Sequence, residues 1–274
     1  MSTIQKIFAK KSLGQHFLTS AVVPMWMCDA AYVTSDDIVL EIGPGTGVLT
    51  KEILKRGATI VALETDLRAI NVLQETFADE IAEGNLILHH TDVRTLNLST
   101  LPFISDHSFK VVANIPYYLS GFLFRAFLES PIQPTDLVYL VQKEVAKRIT
   151  TDLTKGEKES LLSLSVKVYG DPKYVKTVTR GHFTPPPKVD SGIIAIRNIT
   201  RDNFKNIEES LFFNIIHLGF GQKRKQLLGN LSKQYPRDTL TNIFSTIDIP
   251  ISARAEDIPL EKWLSLAQKL SFNS

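Results

Sequence analysis

Ile38-Val39-Leu40-Glu41-Ile42-Gly43-Pro44-Gly45-Thr46-Gly47 decides the fold. Residues 38–42 form a short apolar run of the kind that makes a buried strand. The glycines that follow mark a tight turn, and residues 46–56 carry a helical pattern. The same alternation continues outward. Residues 59–63 read as a second strand. Residues 66–79 place Leu67, Ile70, Leu73 and Phe77 at helical spacing, with Asp66 as the N-cap. Residues 86–89, 110–113 and 137–141 are three further strands, and residues 119–129 a helix. Such β-α alternation predicts an α/β fold with a mostly parallel sheet covered on both faces. Right-handed crossovers then line the strand carboxyl ends along one edge, where ligands bind.

Beyond residue 170 the pattern changes. Residues 174–179 and 193–197 read as later strands flanking the loop Thr184-Pro185-Pro186-Pro187. Residues 203–274 read as short helices, with Pro236, Pro250 and Pro259 near their boundaries. The expected division is a catalytic domain over 1–200 and a small all-helical domain over 201–274.

A chain of 274 residues can hold one full core and a small second one. Its net charge of +2 is too small to imply nucleic acid, so local clusters carry that question. The single cysteine, Cys28, excludes an internal disulfide and a cysteine-based metal site. Cys28 lies in an apolar stretch and reads as core. This usage suits a reducing cytoplasm, and no metal is expected. No apolar run is long enough for a membrane span or a secretory signal. Without a heptad pattern, a monomer is expected.

Gly43-x-Gly45-x-Gly47 departs from the G-x-G-x-x-G dinucleotide pattern. Glu64 ends the second strand 21 residues beyond Gly43, where an acid can accept from both ribose hydroxyls. Asp92 follows the third strand and can accept from an adenine amine. The ligand is then NAD(P) or S-adenosylmethionine (SAM). Asn114-Ile115-Pro116-Tyr117 follows the fourth strand. The Asn114 side-chain oxygen and the Ile115 carbonyl can each accept from an exocyclic amine. Pro116 fixes the turn, and the Tyr117 ring can stack on the base. Asn and Pro are also ordinary turn residues. Pro44 within the glycine turn, together with this tetrapeptide, favours SAM.

These residues resemble the rRNA adenine N6-dimethyltransferases of the KsgA/Dim type. The similarity spans Lys11-Ser12-Leu13-Gly14-Gln15-His16-Phe17-Leu18, the glycine turn, Glu64-Thr65-Asp66 and Asn114-Ile115-Pro116-Tyr117. It continues through Gln142-Lys143-Glu144-Val145-Ala146, the segment from Phe183 to Ser191, and Arg254-Ala255-Glu256. The resemblance implies a Rossmann-like SAM-dependent methyltransferase with a helical C-terminal domain. Its substrate would be two adjacent adenosines in the loop of the 3′-terminal hairpin of 16S rRNA in the 30S particle. The stretch matching Gln15, His16 and Leu18 would contact the methionine end of SAM and close the site. Phe183 would be a second wall for the base stacked on Tyr117. The family carries Arg-Arg-Lys and a nearby Asn on a C-terminal helix. Here the run is Lys223-Arg224-Lys225, with Gly229 at the usual Asn place and Asn230 next. Lys keeps charge but loses the planar fork of Arg. Residues 220–237 hold five cations and no acid, which suits an RNA surface. Two alternatives are an Erm-type 23S rRNA methyltransferase and a ribosome assembly factor whose main role is RNA binding.

Overall fold

A computed structural model describes residues 16–101, 103–104 and 108–271. Lys11 to Gln15 lie outside the described residues, so Gln15 has no structural account. Nine strands and eleven α-helices follow in chain order among the described residues. They are β1 (Phe17–Leu18), α1 (Val22–Ala30), β2 (Ile38–Ile42), α2 (Val48–Lys55), β3 (Thr59–Glu64), α3 (Leu67–Thr76), α4 (Ala78–Ala82) and β4 (Leu86–His90). Next come β5 (Lys110–Asn114), α5 (Ser120–Leu128), β6 (Asp136–Gln142), α6 (Lys143–Ile149), α7 (Leu161–Lys167), β7 (Asp171–Val178), β8 (Phe183–Thr184) and β9 (Ser191–Arg197). The chain ends with α8 (Glu209–Gly219), α9 (Leu227–Leu231), α10 (Arg237–Thr246) and α11 (Leu260–Ser271).

Seven strands form one sheet in the order β4-β3-β2-β5-β6-β9-β7. The first five are parallel, and β9 and β7 join antiparallel. From β2 the chain moves outward through β3 and β4, then returns to β5 on the other side. The carboxyl ends of β2 and β5 therefore flank a topological switch point, where open α/β sheets bind ligands. The inner strands are apolar at nearly every position because helices cover them. Val39, Ile60, Ala62, Val112, Val138 and Leu140 pack with Val23 and Met27 of α1 and Ile53 of α2 in one core. A separate two-stranded sheet pairs β1 with β8, setting Leu18 opposite Phe183.

By its packing the chain forms two units. The first holds residues up to Ala146 and Asp171–Ile199, and the second holds Lys147–Gly170 and Thr200–Ser274. The sequence reading gave residues 147–170 to the first domain. They instead belong to the helical second unit, where the Glu159 amide donates to the Glu256 carbonyl at 2.9 Å. The Glu159 carboxylate, buried there, accepts from Lys167 Nζ and Ser163 Oγ at 2.5 Å each. Among the described residues no helix is long and apolar enough to cross a membrane.

Candidate functional site

The strand carboxyl ends of the first unit open into a cavity of about 340 Å³. His16, Leu18, Gly43, Gly45, Glu64, Asp92, Asn114, Ile115, Pro116, Tyr117 and Phe183 all line it. Every described residue expected from the sequence at the cofactor and base sites is thus brought to one place.

The glycine turn bends because its three glycines adopt φ of +67°, +57° and +78°. Gly47 also has no room: a Cβ there would lie 2.5 Å from the Phe77 ring. The turn is fastened to β3. Gly45 N–H donates to Glu64 Oε2 at 3.1 Å, while Thr65 and Asp66 N–H donate to Oε1 at 2.7 and 2.9 Å. Three of roughly four acceptor positions on this buried carboxylate are filled. Asp66 caps α3 as expected, accepting from the Arg68 amide.

Asp92 caps a short turn and is gripped by Arg94. The Arg94 amide donates to Oδ1 at 2.9 Å and Nη2 to Oδ2 at 2.6 Å. The hydrogen bonds from Arg94 hold the Asp92 carboxyl below the usual range. Glu41, at the end of β2, is 1% exposed. Thr50 Oγ1 donates to its Oε2 at 2.8 Å, and Oε1 is buried with no partner. Burial pushes this carboxyl up to about 8, with the Glu64 charge adding to the rise.

Asn114 closes β5, and its Nδ2 donates to the His16 carbonyl at 3.4 Å. Its amide nitrogen is thereby committed, leaving Oδ1 as the acceptor. The His16 ring donates through Nδ1–H to the Pro185 carbonyl at 2.8 Å, since a carbonyl can only accept. The same ring stacks on Tyr117, with centroids 6.0 Å apart and planes inclined by 28°. Tyr117 is half-buried, and its hydroxyl pairs with Ser191 Oγ at 2.7 Å. Burial raises its phenol above the ordinary value. Phe183 is 3% exposed and part of the core.

Sequence reasoning missed Phe17 and Arg94. The Phe17 ring lies against Gly45, 3.2 Å from where a Cβ would stand, and Arg94 holds Asp92. Phe17 depends on an approach between distant elements, which no local pattern signals, whereas Arg94 lies only two residues from Asp92 and its charge there was the one signal available.

Lys223, Arg224 and Lys225 lie in the second unit and are exposed. They sit in a turn between α8 and α9, not on a helix as the resemblance implied. Asn230, fully buried, pins that turn: its Nδ2 donates to the carbonyls of Gly219 at 2.6 Å and Gln222 at 3.1 Å. Cys28 is fully buried, and burial pushes its thiol up to about 12, as a core residue should behave.

Residues 7–271 match the family model described as "Ribosomal RNA adenine dimethylase". The chain belongs to the ribosomal RNA adenine dimethylase family. It is an rRNA adenine dimethyltransferase. A relative from Dehalococcoides mccartyi (strain BAV1), "Ribosomal RNA small subunit methyltransferase A", is 37% identical over 97% of this chain and 89% of its own. The Fusobacterium nucleatum protein of the same description is 34% identical over 94% of this chain and 96% of its own. Among solved structures, a dimethyladenosine transferase from Plasmodium falciparum superposes with a TM-score of 0.75 at 26% identity, covering 94% of this chain and 98% of that one. The 23S rRNA methyltransferase ErmE shares the fold, with a TM-score of 0.73 at 24% identity over 93% of this chain and 99% of its own.

Proposed function

We propose that this dimethylase uses SAM to dimethylate N6 of two adjacent adenosines in the 3′-terminal hairpin loop of 16S rRNA. It would act on the 30S particle as a cytoplasmic monomer and contribute to small-subunit biogenesis. The relatives described as small subunit methyltransferases support the choice of particle. The observation that carries the chemistry is the strand-end Asn114, whose nitrogen is tied to the His16 carbonyl and whose oxygen is left to accept.

The residues present fit SAM better than a dinucleotide. Glu64 and Asp92 line the cavity as carboxylates and Arg94 as a cation already bound to Asp92, so their formal sum is negative. A pyrophosphate dianion is disfavoured there, whereas a sulfonium cation is welcome. Glu64 would take the ribose. With three backbone donors already on it, holding both hydroxyls requires the Gly45 N–H to release. Asp92 would take the adenine amine of the cofactor by sharing its oxygens with Arg94.

When bound, SAM supplies an electrophilic methyl group on an excellent leaving group. The protein's task is to present the nucleophile. The lone pair of an adenine amine is delocalised into the ring. Accepting its two N–H bonds at Asn114 Oδ1 and the Ile115 carbonyl favours a pyramidal nitrogen with its lone pair directed outward. Asn is no base, so positioning carries most of the rate. The methylated amine is cationic and loses its proton readily after transfer. Tyr117 stacks the base in the place the His16 ring holds, with buried Phe183 as a fixed wall. The target must leave its own stack to reach them. The Lys223–Lys225 turn would contact RNA phosphates.

Incubating the enzyme with separated, unmodified 30S and 50S subunits and labelled SAM tests the assignment. Label in 16S rRNA as N6-dimethyladenosine is expected. Label in 23S rRNA would reverse the choice of particle.

A further inference from the structure

Tyr118, Phe122 and Arg125 form a stripe that the cofactor cavity does not explain. Tyr118 lies in the turn Tyr117–Leu119 that leads into α5, and Phe122 and Arg125 follow on α5 at i, i+3 spacing, which puts those two on one helix face. Tyr118 is 62% exposed and Phe122 41%, so neither ring is core. The Arg125 side chain is 74% exposed, in a long 3.6 Å pair with Glu129. Such an exposed pair is weak and readily exchanged for a stronger partner. Next to Phe122 in the chain, Gly121 faces open space: a Cβ there would meet nothing within 4 Å.

The stripe joins two hollows. Tyr118 lines the cavity that holds Asn114 and Tyr117. Phe122 and Arg125 line a second depression of about 540 Å³ together with Leu96, Asn97, Leu98 and Ile132. Aromatic rings beside a cation, continuous with the base site, suit single-stranded nucleic acid: bases stack and a phosphate pairs.

We propose that this face guides the single-stranded RNA flanking the target adenosine. Tyr118 and Phe122 stack its neighbouring bases, Arg125 holds a phosphate, and the second depression receives one flanking base. The inference rests on the reading of the cavity as the site where an rRNA adenine is methylated.

The test uses full-length Phe122→Ala, Phe122→Trp and Arg125→Gln with unmodified subunits, run on whichever subunit the wild type methylates. A wrong particle and a wrong RNA path therefore give different results. We expect KM for the subunit to rise about tenfold in Phe122→Ala and to recover in Phe122→Trp. In Arg125→Gln the salt dependence of subunit binding should lessen by about 0.7 in log–log slope. SAM affinity should stay at the wild-type value in all three. Wild-type KM in Phe122→Ala together with a wild-type salt slope in Arg125→Gln would overturn the proposal and leave the stripe to another partner.

Discussion

Glu41 is a buried acid with one oxygen satisfied by Thr50 and the other by nothing. Its carboxyl is raised from 4.5 to about 8, chiefly by burial. The sign follows from linkage. Between those two values the folded protein keeps a proton that the unfolded chain has released. Stability therefore falls as pH rises through that window, by at most about 1.4 kcal/mol per pH unit, and levels off above about 8. Glu41→Gln keeps an acceptor for Thr50 and cannot ionise. The melting-temperature advantage of Glu41→Gln over wild type should widen from pH 5 to pH 8 and then hold constant. A difference that does not change with pH would show that Glu41 does not titrate in this way. The sequence displayed Glu41 inside the glycine motif without a role. In a strand covered on both faces, alternation does not reveal which way a carboxyl points.

At the scale of elements, the basic turn is held by Asn230, which the sequence shows one place beyond the usual Asn but without a role. α8 stops at Gly219, where a Cβ would lie 2.4 Å from the Trp263 ring, and the next residues turn back toward α9. Asn230 secures the turn by donating to the Gly219 and Gln222 carbonyls. Removing a buried amide that satisfies two carbonyls costs on the order of 1–3 kcal/mol. Asn230→Ala should lose that much stability in denaturant unfolding and bind subunits more weakly, with SAM affinity unchanged. Full subunit affinity in a folded Asn230→Ala protein would remove the turn from the RNA footprint. The seven strands of the large sheet were legible because β-branched apolar runs are bounded there by turn residues, whereas the two-residue strands β1 and β8 are too short to carry a pattern. The basic run was not, because its place on a helix came only from the resemblance, and α8 ends at Gly219 before the run begins.

Across the whole molecule, the two units divide the proposed labour: the first carries the chemistry and the second the basic turn. The composition of the second was only partly visible. Residues 147–170 have ordinary helical patterns, and nothing local says which core they join. Long-range contacts such as Glu159 with Glu256 decide it. The candidate site was far more legible, because the carboxyl ends of parallel strands lie along one edge of the sheet. Glu64, Asp92 and Asn114 could be brought together from topology alone. What topology could not show was the His16 carbonyl fixing the Asn114 amide, or Arg94 gripping Asp92. In the proposed reaction Asn114 is a positioning acceptor at the reacting nitrogen, and it also borders the expected cofactor site. The most direct measurement is single-turnover methyl transfer by Asn114→Ala at saturating SAM and saturating 30S subunits, with both affinities measured alongside. Transfer should fall by at least about a hundredfold while SAM and subunit binding are largely retained. Methyl transfer at the wild-type rate would contradict that role.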